Sequence, residues 1–202
     1  MKMLLRYIVL AVLGIAIAGC STAMQEVKAK SQSERTDVFS EVKDESTPPK
    51  GFVDLVIRGS IKTHLESYYI LESKESLHGK QSYPFLINID GQAALWNVEG
   101  VRDNKPAYDK NGKTSRDPEA GEGMKYLLEK KIRLRPGSHK LFFGLPEDDY
   151  YREVVINVKG GEAQTLEFKP EYRYKRLPTR IPTYMQGVSR YDILINGSPV
   201  AQ

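Results

Sequence analysis

Beyond Pro49 the chain alternates short apolar runs with turn-forming residues, and this pattern constrains the fold more than any other feature of the sequence. Val53, Leu55 and Ile57 share one face of a run at 52–58, the period of two that a half-buried β-strand requires. Four turn dipeptides divide the later runs: Asp90-Gly91, Pro136-Gly137, Gly160-Gly161 and Asn196-Gly197. The pattern predicts a mainly β fold, a small antiparallel sandwich of about seven short strands over residues 51–202.

The clearest predicted hairpin spans 84–98, because Asp90-Gly91 is a favoured type I′ turn between two apolar runs. Pairing about this turn places Phe85 opposite Trp96, which predicts a buried tryptophan. Two more hairpins are predicted about the other early turns, joining 131–135 to 138–143 and 154–158 to 163–168. The run 60–72 either continues the sheet or forms a short helix, and the last run, 191–195, pairs back onto the sheet.

The N-terminus reads as a signal peptide over residues 1–19. Lys2 and Arg6 precede an apolar run that ends in small residues. This run is shorter than the roughly 20 residues that a helix needs to cross a bilayer. Ile17-Ala18-Gly19-Cys20 resembles the lipobox of bacterial lipoproteins. The resemblance implies that Cys20 carries a diacylglyceryl group as the mature N-terminus, with membrane lipid as a partner. An ordinary secreted protein with a spare thiol is the alternative.

The predicted cellular location of the protein is the cell envelope. Ser21 follows Cys20 where an aspartate often marks inner-membrane retention in lipoproteins, so the resemblance implies the periplasmic face of the outer membrane. Cys20 is the only cysteine, so disulfides and cysteine chemistry are not expected. Cleavage removes Lys2 and Arg6 and lowers the formal net charge from +4 to +2, which gives no support for nucleic-acid binding.

Residues 20–50 form a predicted disordered tether. They are polar and end in Pro48-Pro49, a composition that buries too little apolar surface to offset chain entropy. A coil of this length spans roughly 30 Å. The alternative, a helix from Met24 to Lys43, has a poor apolar stripe.

The stretch from Phe85 to Pro170 resembles the PEGA family of envelope β-sandwich modules. Three elements carry the resemblance: the strand into Ile89-Asp90-Gly91, the turn at 134–139 and the Gly160-Gly161 turn before a final strand. The Pro-Glu-Gly-Ala sequence is absent, and a polar insertion occupies 99–124. The resemblance implies a binding or scaffolding module with no catalytic residue to assign.

Candidate chemistry in the sequence is sparse, and neither a metal nor a cofactor is predicted. His64, His78 and His139 lack helical metal-site spacing, and Ser138-His139 has no accompanying nucleophile motif. A hydrolase would require a deep pocket that holds His64 or His139 beside carboxylates. The insertion offers oxygen ligands for Ca²⁺, but interspersed cations favour a mobile polar loop whose Tyr108 contacts a partner. Those oxygen ligands are Asp103, Asn104, Asp109, Asn111, Asp117 and Glu119.

Two basic groups are candidate binding surfaces. If Pro136-Gly137 closes a hairpin, Arg133 and Lys140 lie close together, and either Glu153 or Glu167 compensates them or the face binds an anion. This weak anion-binding set is Lys131, Arg133, Arg135 and Lys140. The segment 169–184 combines prolines with residues suited to interfaces, and its predicted partner-binding set is Tyr172, Arg173, Tyr174, Arg176, Arg180 and Tyr184. A connector packed onto its own sheet is the alternative.

The sequence therefore predicts a non-enzymatic, membrane-anchored envelope lipoprotein that binds or scaffolds another envelope component, with an envelope protein as the expected partner. A carbohydrate-binding or peptidoglycan-binding module is the first alternative, and a hydrolase is the second.

Overall fold

The protein is built around one curled, mixed β-sheet that forms a half-barrel. The computed structural model describes residues 22–44, 46–108, 110–174 and 181–200. Cys20, Asp109, Arg176 and Arg180 lie outside these residues. No helix in the described ranges is long and apolar enough to cross a membrane.

The described elements are one helix, ten strands and two short 3-10 turns. In chain order they are α1 (Thr22–Lys30), β1 (Phe39–Glu41), β2 (Val53–Thr63), β3 (Ser82–Ile89), β4 (Gln92–Lys105), β5 (Gly121–Leu134), β6 (Gly137–Leu145), the 3-10 turn Pro146–Asp148, β7 (Tyr150–Val158), β8 (Gln164–Tyr172), the 3-10 turn Thr183–Gln186, β9 (Val188–Ile195) and β10 (Ser198–Pro199).

The strands follow the order β10-β9-β8-β2-β5-β4-β3-β6-β7, and β1 also pairs with β5. Only the pairing of β2 with β8 is parallel among these described strands. The long strand β4 pairs with β3 over 92–99 and with β5 over 100–105, so it carries the sheet around the curl. The mainly β prediction is confirmed, whereas the two-sheet sandwich is not.

Aromatic side chains fill the inside of the curl. Phe143 on β6 stacks on Phe168 on β8 with ring centroids 4.0 Å apart, although these strands are far apart in the strand order. Tyr191 on β9 donates its backbone N–H to the hydroxyl of Tyr150 on β7 over 2.8 Å. These contacts bring the two ends of the sheet together around one core.

The hairpin about Asp90-Gly91 is confirmed in its predicted register. Phe85 pairs with Trp96 and Ile87 with Ala94, and Asp90 and Gly91 both have positive φ, at 48° and 91°. Trp96 is buried as predicted and donates Nε1–H to Glu41 over 2.7 Å. The last run also pairs back onto the sheet, as β9 against β8.

The other two predicted hairpins are wrong. The chain turns at Pro136-Gly137 and at Gly160-Gly161, but β6 pairs with β3 and β7, and β8 pairs with β2 and β9. Each turn therefore passes the chain from one part of the curled sheet to another. A turn dipeptide sets a local change of direction and does not choose the strand that is paired afterwards.

The predicted tether is partly folded, which corrects its assignment as disordered. In α1, Val27 packs against Leu86 and Phe142 on the outer face of the sheet. Phe39 on β1 pairs with Leu134 and is buried. The helix overlaps the alternative Met24–Lys43 but begins at Thr22 and ends at Lys30, since a single buried apolar side chain supports only a short docked helix.

Candidate functional site

The loop between β2 and β3, residues 64–81, carries the most unusual chemistry of the described residues. We call it the β2–β3 loop, and we call residues 68–71 its tip. β2 continues the sheet to Thr63, after which residues 64–72 are neither strand nor helix, so neither predicted alternative holds there.

The two ends of the β2–β3 loop are held close together at its base. Gly79 has a φ of +74°, and a Cβ atom there would lie 2.1 Å from the backbone nitrogen of Glu66, so only glycine fits. The N–H of Gly79 donates to Thr63 Oγ1 over 2.9 Å. Tyr126 on β5 donates its hydroxyl to the carbonyl of Lys80 over 2.7 Å. The base is thus held in place while the tip extends from the sheet.

The tip exposes two large aliphatic side chains. Ile70 and Leu71 are each 98% exposed. Behind them the half-exposed rings of Tyr68 and Tyr69 pack edge to face at 4.9 Å, and Tyr69 also meets the ring of His64 at 4.9 Å. The backbone N–H of Glu72 donates to the carbonyl of Tyr69 over 3.2 Å, so the tip is a closed turn.

Beneath the tip, two histidines surround one carboxylate. His64 Nε2 lies 3.3 Å from Glu72 Oε1, and His78 Nδ1 lies 3.5 Å from the same oxygen. Ser76 donates its hydroxyl to this oxygen over 2.7 Å. The candidate ligand atoms of His64, Glu72 and His78 all lie within 4.8 Å of one another. This group could hold a metal ion.

The far nitrogens of both imidazoles face oxygen acceptors. His64 Nδ1 lies 2.9 Å from the carbonyl of Leu65. His78 Nε2 lies 3.4 Å from Asp148 Oδ1, and Tyr83 donates its hydroxyl to the other oxygen of Asp148. Burial alone would lower the pKa of His78, but Asp148 and Glu72 together raise it above its ordinary value.

A cavity of about 380 Å³ lies between the β2–β3 loop and the turn at 183–187, lined by His64, Tyr69, Glu72, His78, Tyr172 and Met185 among others. Tyr172 and Tyr184 belong to its wall. They are only 8% and 2% exposed, which corrects their predicted role as partner contacts. Burial raises the pKa of Tyr184 to about 12, so its hydroxyl stays protonated and donates to the carbonyl of Glu122.

The rest of the predicted partner-binding set is only partly described. Tyr174 is 81% exposed and fits a contact surface. Arg173 is exposed but donates Nε–H to the carbonyl of Val188 over 3.2 Å. Arg176 and Arg180 lie outside the described residues.

The predicted anion-binding set is dispersed, because the hairpin that would have gathered it does not form. Lys131 and Arg133 both contact Asp54, at 3.0 Å and 2.7 Å. Arg135 lies over the ring of Phe52. Lys140 is opposite Val155 on β7, in a different part of the sheet. Asp54, and not the predicted Glu153 or Glu167, compensates the positive charge of Lys131 and Arg133.

The predicted insertion 99–124 is partly strand: residues 99–105 belong to β4 and 121–124 to β5. Three of its acids, Asp103, Asp117 and Glu119, contact lysines. Asp103 accepts from the fully buried Lys62 over 2.7 Å, and Lys105 contacts both Asp117 and Glu119. These ammonium groups occupy the positions that a Ca²⁺ ion would need. Tyr108 is exposed, which fits its predicted contact role.

His139 is buried beside a carboxylate, but its ring is already bonded on both sides. Nδ1 lies 2.7 Å from Asp90 Oδ2, and Nε2 lies 2.9 Å from the carbonyl of Arg135. This ring ties the Asp90-Gly91 turn to the start of β6. His139 therefore has a structural role.

Sequence reasoning missed the grouping of His64, Glu72 and His78. They lie in a loop that is neither helix nor strand, so their spacing in the chain does not predict their proximity, and only the closed loop brings them together. Comparisons of the chain with protein families, with curated proteins and with solved structures find no match.

Proposed function

We propose that this protein is a lipid-anchored envelope protein that binds a protein partner through the tip of its β2–β3 loop. The observation that carries the proposal is the exposure of Ile70 and Leu71, 98% each, on a loop whose base is held by hydrogen bonds. Burying each side chain in a partner would contribute about 1.5–3 kcal/mol. Apolar anchors that enter a pocket are typical of binding hot spots.

The charge around the tip favours a protein over a lipid surface. Glu66, Glu72 and Glu75 flank the tip against the single cation Lys74 within residues 66–75. Anionic head groups would repel this acidic surround. A partner with an apolar pocket and a basic rim would complement it.

The other elements of the proposal rest on the sequence. The lipobox-like Ile17-Ala18-Gly19-Cys20 supports lipidation, and Ser21 supports the periplasmic face of the outer membrane. The PEGA-like turns support a binding or scaffolding sandwich module rather than an enzyme, by analogy. Peptidoglycan binding and hydrolysis stay alternative predictions.

Photocrosslinking in the cells that produce the protein tests the partner. A photoreactive residue replacing Leu71 in the full-length chain is expected to yield a discrete protein adduct. The same residue replacing Leu127, an exposed apolar position on β5, is the matched control and is expected to yield none. The captured protein should then bind the purified chain, and Ile70→Asp with Leu71→Asp should weaken this binding at least about tenfold.

Three outcomes would contradict the proposal: equal adducts at both positions, adducts with lipid alone, or binding that the double variant leaves unchanged. Sedimentation of the chain with purified cell-wall sacculi, abolished by the same double variant, would instead support the glycan alternative.

A further inference from the structure

We propose that His64, Glu72 and His78 form a binding site for a divalent transition metal, with Zn²⁺ as the ion that fits best. This inference does not depend on the proposed partner, because it rests on the geometry beneath the tip alone.

The hydrogen bonds of the two imidazoles supply the first argument. A carbonyl oxygen can only accept, so the neutral ring of His64 places its proton on Nδ1 toward Leu65 and its Nε2 lone pair toward Glu72. His78 lies between Asp148 at Nε2 and Glu72 at Nδ1, and its tautomer with the proton toward Asp148 has a lone pair on Nδ1 facing Glu72. Metal-binding histidines are typically oriented by a carbonyl or carboxylate on the far nitrogen.

In these tautomers both lone pairs point toward Glu72 Oε1, and a cation at the centre of the three groups would attract all of them.

Two of the three distances between ligand atoms fit a tetrahedral ion. Zn²⁺ bonds of about 2.0–2.1 Å at tetrahedral angles separate neighbouring ligand atoms by about 3.3 Å. The two edges that meet at Glu72 Oε1 measure 3.3 Å and 3.5 Å. The third edge, between the histidines, is within 4.8 Å, and small ring rotations would close it.

The donor set selects the class of metal. Two imidazole nitrogens and one carboxylate oxygen suit Zn²⁺ and neighbouring transition ions, whereas Ca²⁺ and Mg²⁺ prefer oxygen alone. Three protein ligands leave a fourth position for water or a small ligand. Ser76, which donates to Glu72 Oε1, would orient the carboxylate from outside the coordination shell.

The ligands occupy positions that would brace the loop. His64 directly follows β2, Glu72 follows the tip and His78 precedes the glycine that closes the base. One ion would connect these three points. Metal binding is therefore expected to slow amide hydrogen exchange across residues 65–77.

Titration of the full-length chain, purified in detergent and stripped with a chelator, tests the site directly. Against a chromophoric competitor, one equivalent of Zn²⁺ is expected to bind. Each of His64→Gln, Glu72→Gln and His78→Gln should weaken binding at least about 100-fold, and Asp148→Asn about 10–100-fold. His139→Gln, which changes another buried histidine bonded to a carboxylate, is the matched control and should leave affinity unchanged.

A second variant keeps the test informative if the glutamine variants unfold. His78→Cys should retain binding, and with Co²⁺ it should add a thiolate charge-transfer band that the unmodified site lacks. Substoichiometric binding, an affinity unchanged from wild type in the three ligand variants, or an equal loss in His139→Gln would overturn the proposal. The cluster would then be a protonated His78 bridging Glu72 and Asp148.

Discussion

At the scale of single residues, the buried carboxylate of Asp54 links two cations on the neighbouring strand. Arg133 contacts it through Nε at 2.7 Å and Lys131 through Nζ at 3.0 Å. The hydrogen bond from Arg133 outweighs burial and, together with Lys131, holds the pKa of Asp54 below its usual range. The ionised form of Asp54 is therefore favoured by folding.

This shift predicts a specific acid sensitivity. Asp54 stabilises the fold fully above the unfolded-state pKa of about 3.9, and the contribution is lost as the pH falls through the lower folded-state pKa. In urea unfolding between pH 6 and pH 2, Asp54→Asn should be less stable than wild type at pH 6, and the gap should narrow at acid pH. The matched control is Asp192→Asn on the exposed face of β9. A gap that is constant with pH would contradict the assignment.

The candidate metal ligands show the limit of residue-level prediction. A helix or strand period would have placed His64 and His78 on a common face, but they lie in an irregular loop where spacing carries no such information. Their proximity depends on Gly79, Tyr126 and Thr63, which close the base of the loop. These three residues lie on β2, in the loop and on β5, so the sequence of the loop alone could not reveal how its base closes.

At the scale of elements, the helix α1 is held to the sheet by one apolar contact and a few polar ones. Val27 packs on Leu86 and Phe142. Lys30 pairs with Glu153 at 3.0 Å, and its carbonyl accepts from Asn88 over 2.9 Å. The helix begins at Thr22, two residues after Cys20 in the sequence.

Val27→Asp should release α1, because it places an unpaired charge in an apolar contact. Limited trypsin digestion should then cleave readily after Lys28 and Lys30, while the β core stays intact. The matched control is Met24→Asp in the same helix, where the side chain is 59% exposed. Identical cleavage of wild type and both variants would show that α1 is not docked.

Turn chemistry predicted where the chain changes direction but not always which strands pair. Asp90-Gly91 joins adjacent strands in the predicted register because a type I′ turn leaves no room for another connection. Gly137 and Gly161 also have positive φ, at 145° and 110°, yet β5 and β6 belong to different parts of the sheet, as do β7 and β8. Pairing over a longer range depends on how the whole sheet curls.

At the scale of the whole molecule, the curl is closed by aromatic contacts between strands that are not neighbours in the sheet. Phe143 stacks on Phe168, and it also meets Tyr191 edge to face with centroids 4.8 Å apart. All three side chains are essentially inaccessible to solvent. These rings join the two ends of the sheet across the core.

Phe143→Ala should therefore lower the free energy of unfolding by about 3–5 kcal/mol, from lost burial and from the cavity left inside the curl. Urea unfolding followed by far-UV circular dichroism measures this change. The matched control is Phe52→Ala, which truncates a more exposed ring at the edge of the fold and should cost far less. A similar loss in both variants would contradict the central role of Phe143.

The sequence by itself determined the β class, the Asp90-Gly91 hairpin and the burial of Trp96, because alternation and turn chemistry act over a few neighbouring residues. Only the tertiary structure decided that α1 and β1 dock, that Asp54 gathers Lys131 and Arg133, and that the loop brings together His64, Glu72 and His78. These contacts join residues far apart in the chain. The free energy of these contacts depends on how the whole sheet curls and closes. No pattern among neighbouring residues in the sequence specifies that curl.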